Sequence, residues 1–421
     1  MQKITIVSLG PGSRDQLTLG ALARIRRARR LVLRTGECDA ARYLTEQGIK
    51  YETLDSLHEE CEDFDAFIAA SVQKIAKAAA RVPVVYAVLD ALSDETAAAL
   101  LKACPEQAAL CGGAGIAPPL LQAAGARLPV RVAPATGLTV SSTQDALLVV
   151  EMNTRMLAGE CKLKLASWYG DDAEALFFPP AEKEQRAFLR MPLCEIDRQP
   201  RYDHTTAVYL PSLPLKERQR FDLWDLVRVM GILRGPGGCP WDAAQTHRSL
   251  SRYLIEEAYE VSEAVDSEDW DHVADELGDV LLQVVFQSDI GAQYGTFELS
   301  DVTTAICRKM IERHPHIFAD GEAANTDATW EALKQRQRGQ ATVSDVLRGV
   351  SEELPALMRA EKLLRKMEGL GIDPASLCGQ EPARELLDAA ARLRRQGLSP
   401  EEELRNLLAH MVRRAEEAEK K

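Results

Sequence analysis

Long apolar runs are absent from this 421-residue sequence. No stretch reaches the roughly 18 apolar residues that a bilayer-spanning helix needs, so a helical membrane protein is not expected. Paired cysteines are absent too: nine cysteines are scattered along the chain without one CxxC. That distribution argues against a thiolate metal site or a disulfide framework, and for free thiols in a reducing cytoplasm. The opening "MQKITIVSLG" lacks the basic flank and long apolar segment of a secretion signal. Positive charge is in deficit, with 51 lysines and arginines against 64 acids and a formal net charge of -13. A general grip on nucleic-acid phosphates or anionic lipid is thereby disfavoured, whereas local phosphate binding through a metal stays open.

The composition, 46% hydrophobic and 27% charged, is that of a globular chain, and its length implies two or three domains. In the first half, "KITIVSL" and "VPVVYAVLD" read as buried strands. "TLGALARIRRARR", "FDAFIAASVQKIAKAAAR" and "ETAAALLKAC" carry helical periodicity, so an α/β lobe with a largely parallel sheet follows. "DALLVVEM", "LKLASWYG" and "ALFFPP" read as strands of a second lobe. The prolines and charges of "YLPSLPLKERQ" place a boundary near residue 216. Beyond it strand signals nearly vanish, and an all-α region is expected. The expected domains are 1–216, two-lobed α/β; 217–340, helical; and 341–421, a helical tail.

The stretch "RYLIEEAYEVSEA", residues 252–264, is crowded with glutamates. At about 100° per residue, Leu254, Ala258, Val261 and Val265 share a stripe that should face a core. Glu257 and Glu260 fall about 60° and 120° to one side of it, and Glu256 and Glu263 nearly opposite. The following helix repeats the pattern: with Val273, Leu277, Val280 and Val284 as its stripe, Glu276 and Asp279 take the same two offsets. A short turn around "DSEDWD" should fold the two into an antiparallel hairpin, with Ser267 as a cap. Carboxylates gathered in this way repel and lose solvation unless they protonate, splay apart or bind a cation. Oxygen-only ligands select a hard ion, Mg²⁺ with Mn²⁺ as substitute.

"LRGPGGCPWDAAQTHRSLSRYLIEEAYEVSEAV", "DELGDVLLQVVFQ" and "KMIERHPHIFAD" resemble the MazG family of all-α nucleoside triphosphate pyrophosphohydrolases, over roughly residues 220 to 340. The resemblance implies hydrolysis of a nucleoside triphosphate to the monophosphate and pyrophosphate, with Glu257, Glu260, Glu276 and Asp279 as ligands of Mg²⁺. Glu256 matches the family's doubled "EE" and becomes a candidate catalytic residue. Lys309 and Arg313 match its basic, phosphate-binding pair, and Trp330 and Lys334 its nucleotide contacts. Trp241 is a candidate for the base pocket or for anchoring the "GCPWD" turn. The family's domain often occurs twice, and the tail resembles a worn second copy in which Glu385, Asp388, Glu403 and Asn406 take the ligand places. A homodimer is expected, because one helical hairpin is too thin to enclose a nucleotide.

"ITIVSLGPGSRDQLTLGALARIRRARRLVLRT" resembles the first lobe of the tetrapyrrole (corrin/porphyrin) methylases, an α/β family using S-adenosylmethionine. Gly10 and Gly12 lie in the turn that approaches the cofactor in that family. Where the family has a Pro-Gly-x-Pro-type turn, this chain has Leu89, Asp90, Ala91 and Leu92, which puts the methyl-donor site in question. The two other readings are a methyltransferase with an accessory hydrolase domain and a nucleotide-sensing regulator without catalysis.

Overall fold

The structure, a computed structural model, describes residues 3–10, 13–180, 187–318, 342–374 and 383–407. The chain forms two compact units, Met1–Ile290 and Gly291–Lys421.

The first unit opens with a five-stranded, all-parallel sheet: β1 (Ile4–Ser8), β2 (Arg30–Leu33), β3 (Glu52–Thr53), β4 (Val84–Val88) and β5 (Ala108–Leu110), in the order β3-β2-β4-β1-β5. Strand alternation sends apolar side chains to both faces. Ile4, Ile6, Tyr86 and Val88 pack with Phe67 and Ile75 of the Phe64–Ala79 helix. Val7, Val85 and Ala87 pack with Ile25 and Leu44 of the helices on the other face. A second five-stranded sheet, mixed in direction, follows the order β6-β7-β10-β8-β9. Its strands are β6 (Val130–Pro134), β7 (Ala146–Val150), β8 (Glu174–Phe178), β9 (Leu189–Pro192) and β10 (Ala207–Leu210).

One strand expectation is overturned. "LKLASWYG" belongs to the Arg155–Tyr169 helix, whose buried residues Ala158, Cys161, Leu165 and Tyr169 recur at three- and four-residue steps. Leu163 and Leu165 alternate with lysine only because the window is short; over the whole segment the period is helical.

The rest of the first unit is helical, as expected. The Leu223–Arg234 helix starts at a capping box made by Asp222 and Asp225. Asp222 also accepts from Nε2 of Gln144 at 3.0 Å, and Asp225 is ion-paired with Arg218 at a buried position, so this helix is tied to the second sheet's loops. After the short Pro240–Ala244 helix come two long ones, His247–Asp266 and Trp270–Gln293. Ser267 closes the first of these rather than capping the second. Asp269 is the cap, its Oδ1 accepting from the His272 N–H at 3.2 Å, and Glu268 makes the turn in the left-handed region at φ 58°.

The second unit contains the Leu299–Arg313, Pro315–Phe318, Val343–Arg348, Ala356–Gly369 and Arg384–Arg395 helices. The first begins at a Glu298–Asp301 capping box. No described helix in either unit is long and apolar enough to cross a membrane.

Candidate metal and nucleotide site

The two acidic helices form the expected antiparallel hairpin. Its register is set at one end by His247 and Gln287, where Nε2 of Gln287 donates to the His247 carbonyl at 3.3 Å and their side chains also bond. Midway along the hairpin one carboxylate oxygen each from Glu257, Glu260 and Glu276 lie within 4.8 Å of one another. Asp279 is not a member of that close group, although its charge acts on Glu257.

The inward face of the first acidic helix is not the expected one. Leu250 and Ala264 are buried and Tyr253, Glu257 and Val261 half-buried, whereas Leu254 is 37% exposed and Ala258 and Val265 are also exposed. The stripe is rotated by about 70° from the aliphatic one, which puts Glu257 at its centre instead of its border. On the second acidic helix Leu277 is 51% exposed, while the Glu276 side chain is only 14% exposed. An acid has been buried in preference to a leucine.

That placement has electrostatic consequences. Partial burial, the neighbouring Glu260 carboxylate and the charges of Asp279 and Glu276 hold the Glu257 carboxyl above its ordinary range. Oε1 of Glu276 is bonded to Nε2 of His272 at 2.8 Å, but its Oε2 is buried without a partner. A buried carboxylate oxygen lacking a donor beside two further acids fits a hard divalent cation.

A pH test follows from the direction of the Glu257 shift. A carboxyl whose folded pKa is raised binds its proton more tightly in the native state, so its contribution to stability is lost as pH rises from the ordinary glutamate range through the raised value. In chelator, the melting temperature of Glu257→Gln relative to the parent is expected to climb over that window. A difference independent of pH would contradict the placement.

The "GCPWD" turn is held by an arginine, not by its tryptophan. Arg234 is buried, with Nε on Asp289 at 2.7 Å, Nη1 on the Asp242 carbonyl at 2.5 Å, and its guanidinium 5.1 Å from the Phe286 ring centre. Gly238 is required here, since a Cβ would stand 2.3 Å from the Leu233 carbonyl oxygen. Trp241 is 57% exposed, so the anchoring role considered for it is not the one it has.

Glu256 lies outside the close acidic group and is exposed, with an oxygen 3.8 Å from Nη2 of Arg252. Glu263 is exposed as expected. Lys309, exposed, and Arg313, half-buried, lie one turn apart near the end of the Leu299–Arg313 helix of the second unit. Trp330 and Lys334 lie outside the described residues. In the tail, Asp388 is 3.9 Å from Arg384, and among the described residues Glu385, Asp388 and Glu403 join no metal-capable group. Sequence reasoning missed His272 and Arg234. For His272 the signal was its four-residue spacing from Glu276; Arg234 gave no signal apart from its place before the glycine-rich turn.

Residues 245–318, which include the acidic hairpin, match the MazG nucleotide pyrophosphohydrolase domain. The uncharacterized protein YabN of Bacillus subtilis is 33% identical over 379 residues, covering 86% of this chain and 76% of YabN. The chain belongs to the MazG family. Within that family the nucleoside triphosphate pyrophosphohydrolase of Escherichia coli is 41% identical over 156 residues, and the pyrophosphohydrolase/pyrophosphatase MazG of Thermotoga maritima 41% over 149. Those alignments cover 36% and 35% of this chain, and 59% and 58% of the two relatives.

The half of this MazG chain that carries the sheets is similar to solved methyltransferases at low identity. Uroporphyrin-III-C-methyltransferase of Thermus thermophilus gives a TM-score of 0.36 at 14% identity, over 50% of this chain and 92% of that one. The methyltransferase CobJ gives 0.37 at 16%, over 50% and 95%. A likeness of this size says nothing about chemistry, and the residues at the carboxyl edge of the first sheet speak for themselves. The buried Asp90 accepts from the Leu92 N–H at 3.0 Å and the Ile116 N–H at 2.9 Å, and Ser8 accepts from Ala91 at 2.9 Å. Gly113 and Gly115 pack so closely that a Cβ would meet the Ser8 carbonyl at 2.5 Å and the Asp90 carboxylate at 2.6 Å. Gly10 is left-handed at φ 82°, and Gly12 lies outside the described residues. These groups at the ends of β1 and β4, where an open parallel sheet receives its ligands, are thus engaged inside the protein.

Proposed function

We propose that this chain hydrolyses nucleoside triphosphates to the monophosphate and pyrophosphate, with Mg²⁺ or Mn²⁺ held by Glu257, Glu260, Glu276 and Asp279. The observation that carries the reading is the convergence of three carboxylates within 4.8 Å with a buried, partnerless oxygen on Glu276. Bound there, the cation would neutralise charge on the triphosphate and lower the pKa of an attacking water. The chain's own residues supply the remainder. Glu257 and Glu276 fix the donor geometry from half-buried positions, and Glu260 and Asp279 complete it from the exposed side. Glu256 is the candidate proton acceptor at the rim. Lys309 and Arg313 are assigned to phosphate oxygens, and Trp241, Trp330 and Lys334 to the nucleotide.

The domain division at 1–216, 217–340 and 341–421, the last a worn partial repeat, belongs to the same proposal. So does a homodimer: Leu254, Ile255, Tyr259, Leu277 and Leu281 are large apolar side chains exposed on the acidic hairpin, a surface that a second copy would cover. Eight described cysteines are free, which suits a cytoplasmic setting. No methyl-transfer step is assigned to the N-terminal sheets.

Incubation with a panel of ribo- and deoxyribonucleoside triphosphates and Mg²⁺, scoring monophosphate and pyrophosphate, tests the proposal. Release of both products in equal amounts is expected. Orthophosphate release, or no turnover with any of the panel, would rule the reading out.

A further inference from the structure

Within residues 217–290 two side-chain atoms are buried without a hydrogen-bond partner: Oε2 of Glu276 and Oε1 of Gln283. The metal reading accounts for the first. Gln283 is 6% exposed and its Oε1 has no hydrogen-bond partner, although it interrupts the apolar run "DVLLQVVF". A buried amide acceptor left without a donor destabilises the folded state, and an apolar residue of the same shape would pack there at no such cost.

Its position suggests what the missing donor is. Seven residues separate Glu276 from Gln283, so the two lie on one stripe of the helix, about 20° apart in angle and about 10 Å apart along the axis. The same stripe continues to Gln287, which is bonded to His247 across the hairpin. Gln283 therefore stands between the acidic group and the His247 end of the hairpin. A triphosphate anchored on the acids carries its sugar and base away from them, and along the helix axis towards Gln283 lies a buried acceptor that still lacks a donor.

We propose that Gln283 reads the base of the bound nucleotide, its amide oxygen accepting from a base N–H and its amide nitrogen donating to the adjacent acceptor. This rests on the pyrophosphohydrolase reading for the anchoring of the phosphates, and it adds the residue that sets base preference.

Calorimetric binding of the Mg²⁺ complexes of α,β-methylene ATP, CTP, GTP and UTP to the full chain tests it without requiring turnover, with inorganic tripolyphosphate as the baseless probe. Gln283→Met is expected to weaken at least one of the four analogues about tenfold, to leave tripolyphosphate binding unchanged, and to melt no lower than the parent. Gln283→Glu, which only accepts, is expected to reorder the four affinities. Unchanged binding of all four analogues by Gln283→Met overturns the proposal. So does an equal loss for tripolyphosphate, or a shift in self-association without a change in nucleotide affinity. Parent protein that binds no analogue sinks both readings. Base-dependent binding through Gln283 without hydrolysis would leave this inference standing and remove the activity.

Discussion

Glu260→Gln and Asp279→Asn are each expected to reduce triphosphate turnover on the order of 10²- to 10³-fold, the scale at which losing one preorganised charge-stabilising group is felt. Both changes keep side-chain size and remove one negative charge, so folding is spared. Glu260 is exposed and Asp279 lies on the outer side of the close group, which means that neither substitution opens a cavity. Raising the Mg²⁺ concentration should recover part of the loss if the effect runs through metal affinity. Glu263→Gln, on the wet face of the same helix, is expected to stay within about twofold of the parent, since exposed charges couple weakly over such distances. Parallel losses in all three variants would mean that net charge, not a site, is being measured. Steady-state assays of pyrophosphate release over a Mg²⁺ titration decide between these outcomes.

Arg34→Met is expected to destabilise the N-terminal half by about 3–5 kcal/mol, as breaking a buried ion pair from one side does. Nη1 of Arg34 lies 2.8 Å from Oδ2 of Asp94 and 3.0 Å from Oε2 of Glu151, and all three side chains are at most 10% exposed. Burial works against the guanidinium charge, but the two carboxylates outweigh it and hold Arg34 protonated. Asp94 also caps the Glu95–Ala103 helix through Ala97 N–H at 2.7 Å, and Glu151 accepts from Ser93 at 2.9 Å, so the cluster joins the first lobe to the second. Burial already raises the Glu151 carboxyl above its ordinary range, and losing Arg34 raises it further. A raised carboxyl is stabilising when protonated, so the deficit of Arg34→Met should be largest at high pH and shrink as pH falls towards the carboxylate range. Urea midpoints at several pH values check this, and Glu151→Gln in the Arg34→Met background should recover part of the loss. A deficit of a few tenths of a kcal/mol, flat with pH, would mean the cluster is solvated.

Much of the fold was legible in the sequence because its signals are local. The β4 run is apolar at every position and β1 at three of its five, as a strand covered on both faces requires, and the long helices declare themselves over five turns or more. The failure at "LKLASWYG" came from reading eight residues where Arg155–Tyr169 needed fifteen. The site was half legible: the repeated ExxE and ExxD spacing located the acids, since spacing along a helix is a local property. The inward face was not, because Leu254, Ala258 and Val265 give the aliphatic stripe while the hairpin turns Glu257, Glu276 and Gln283 inward instead.

The sequence by itself located most of the helices, the recurrence of two acidic pairs in the same register, and the deficits of positive charge and of long apolar runs. Only the tertiary structure decided which acids are buried, that Glu276 Oε2 and Gln283 Oε1 have no donor, and that Asp90 fills the edge of the first sheet with its own hydrogen bonds. Burial and hydrogen-bond satisfaction depend on what stands across from a residue. That is fixed by the packing of distant segments, on which the periodicity of one segment carries no information.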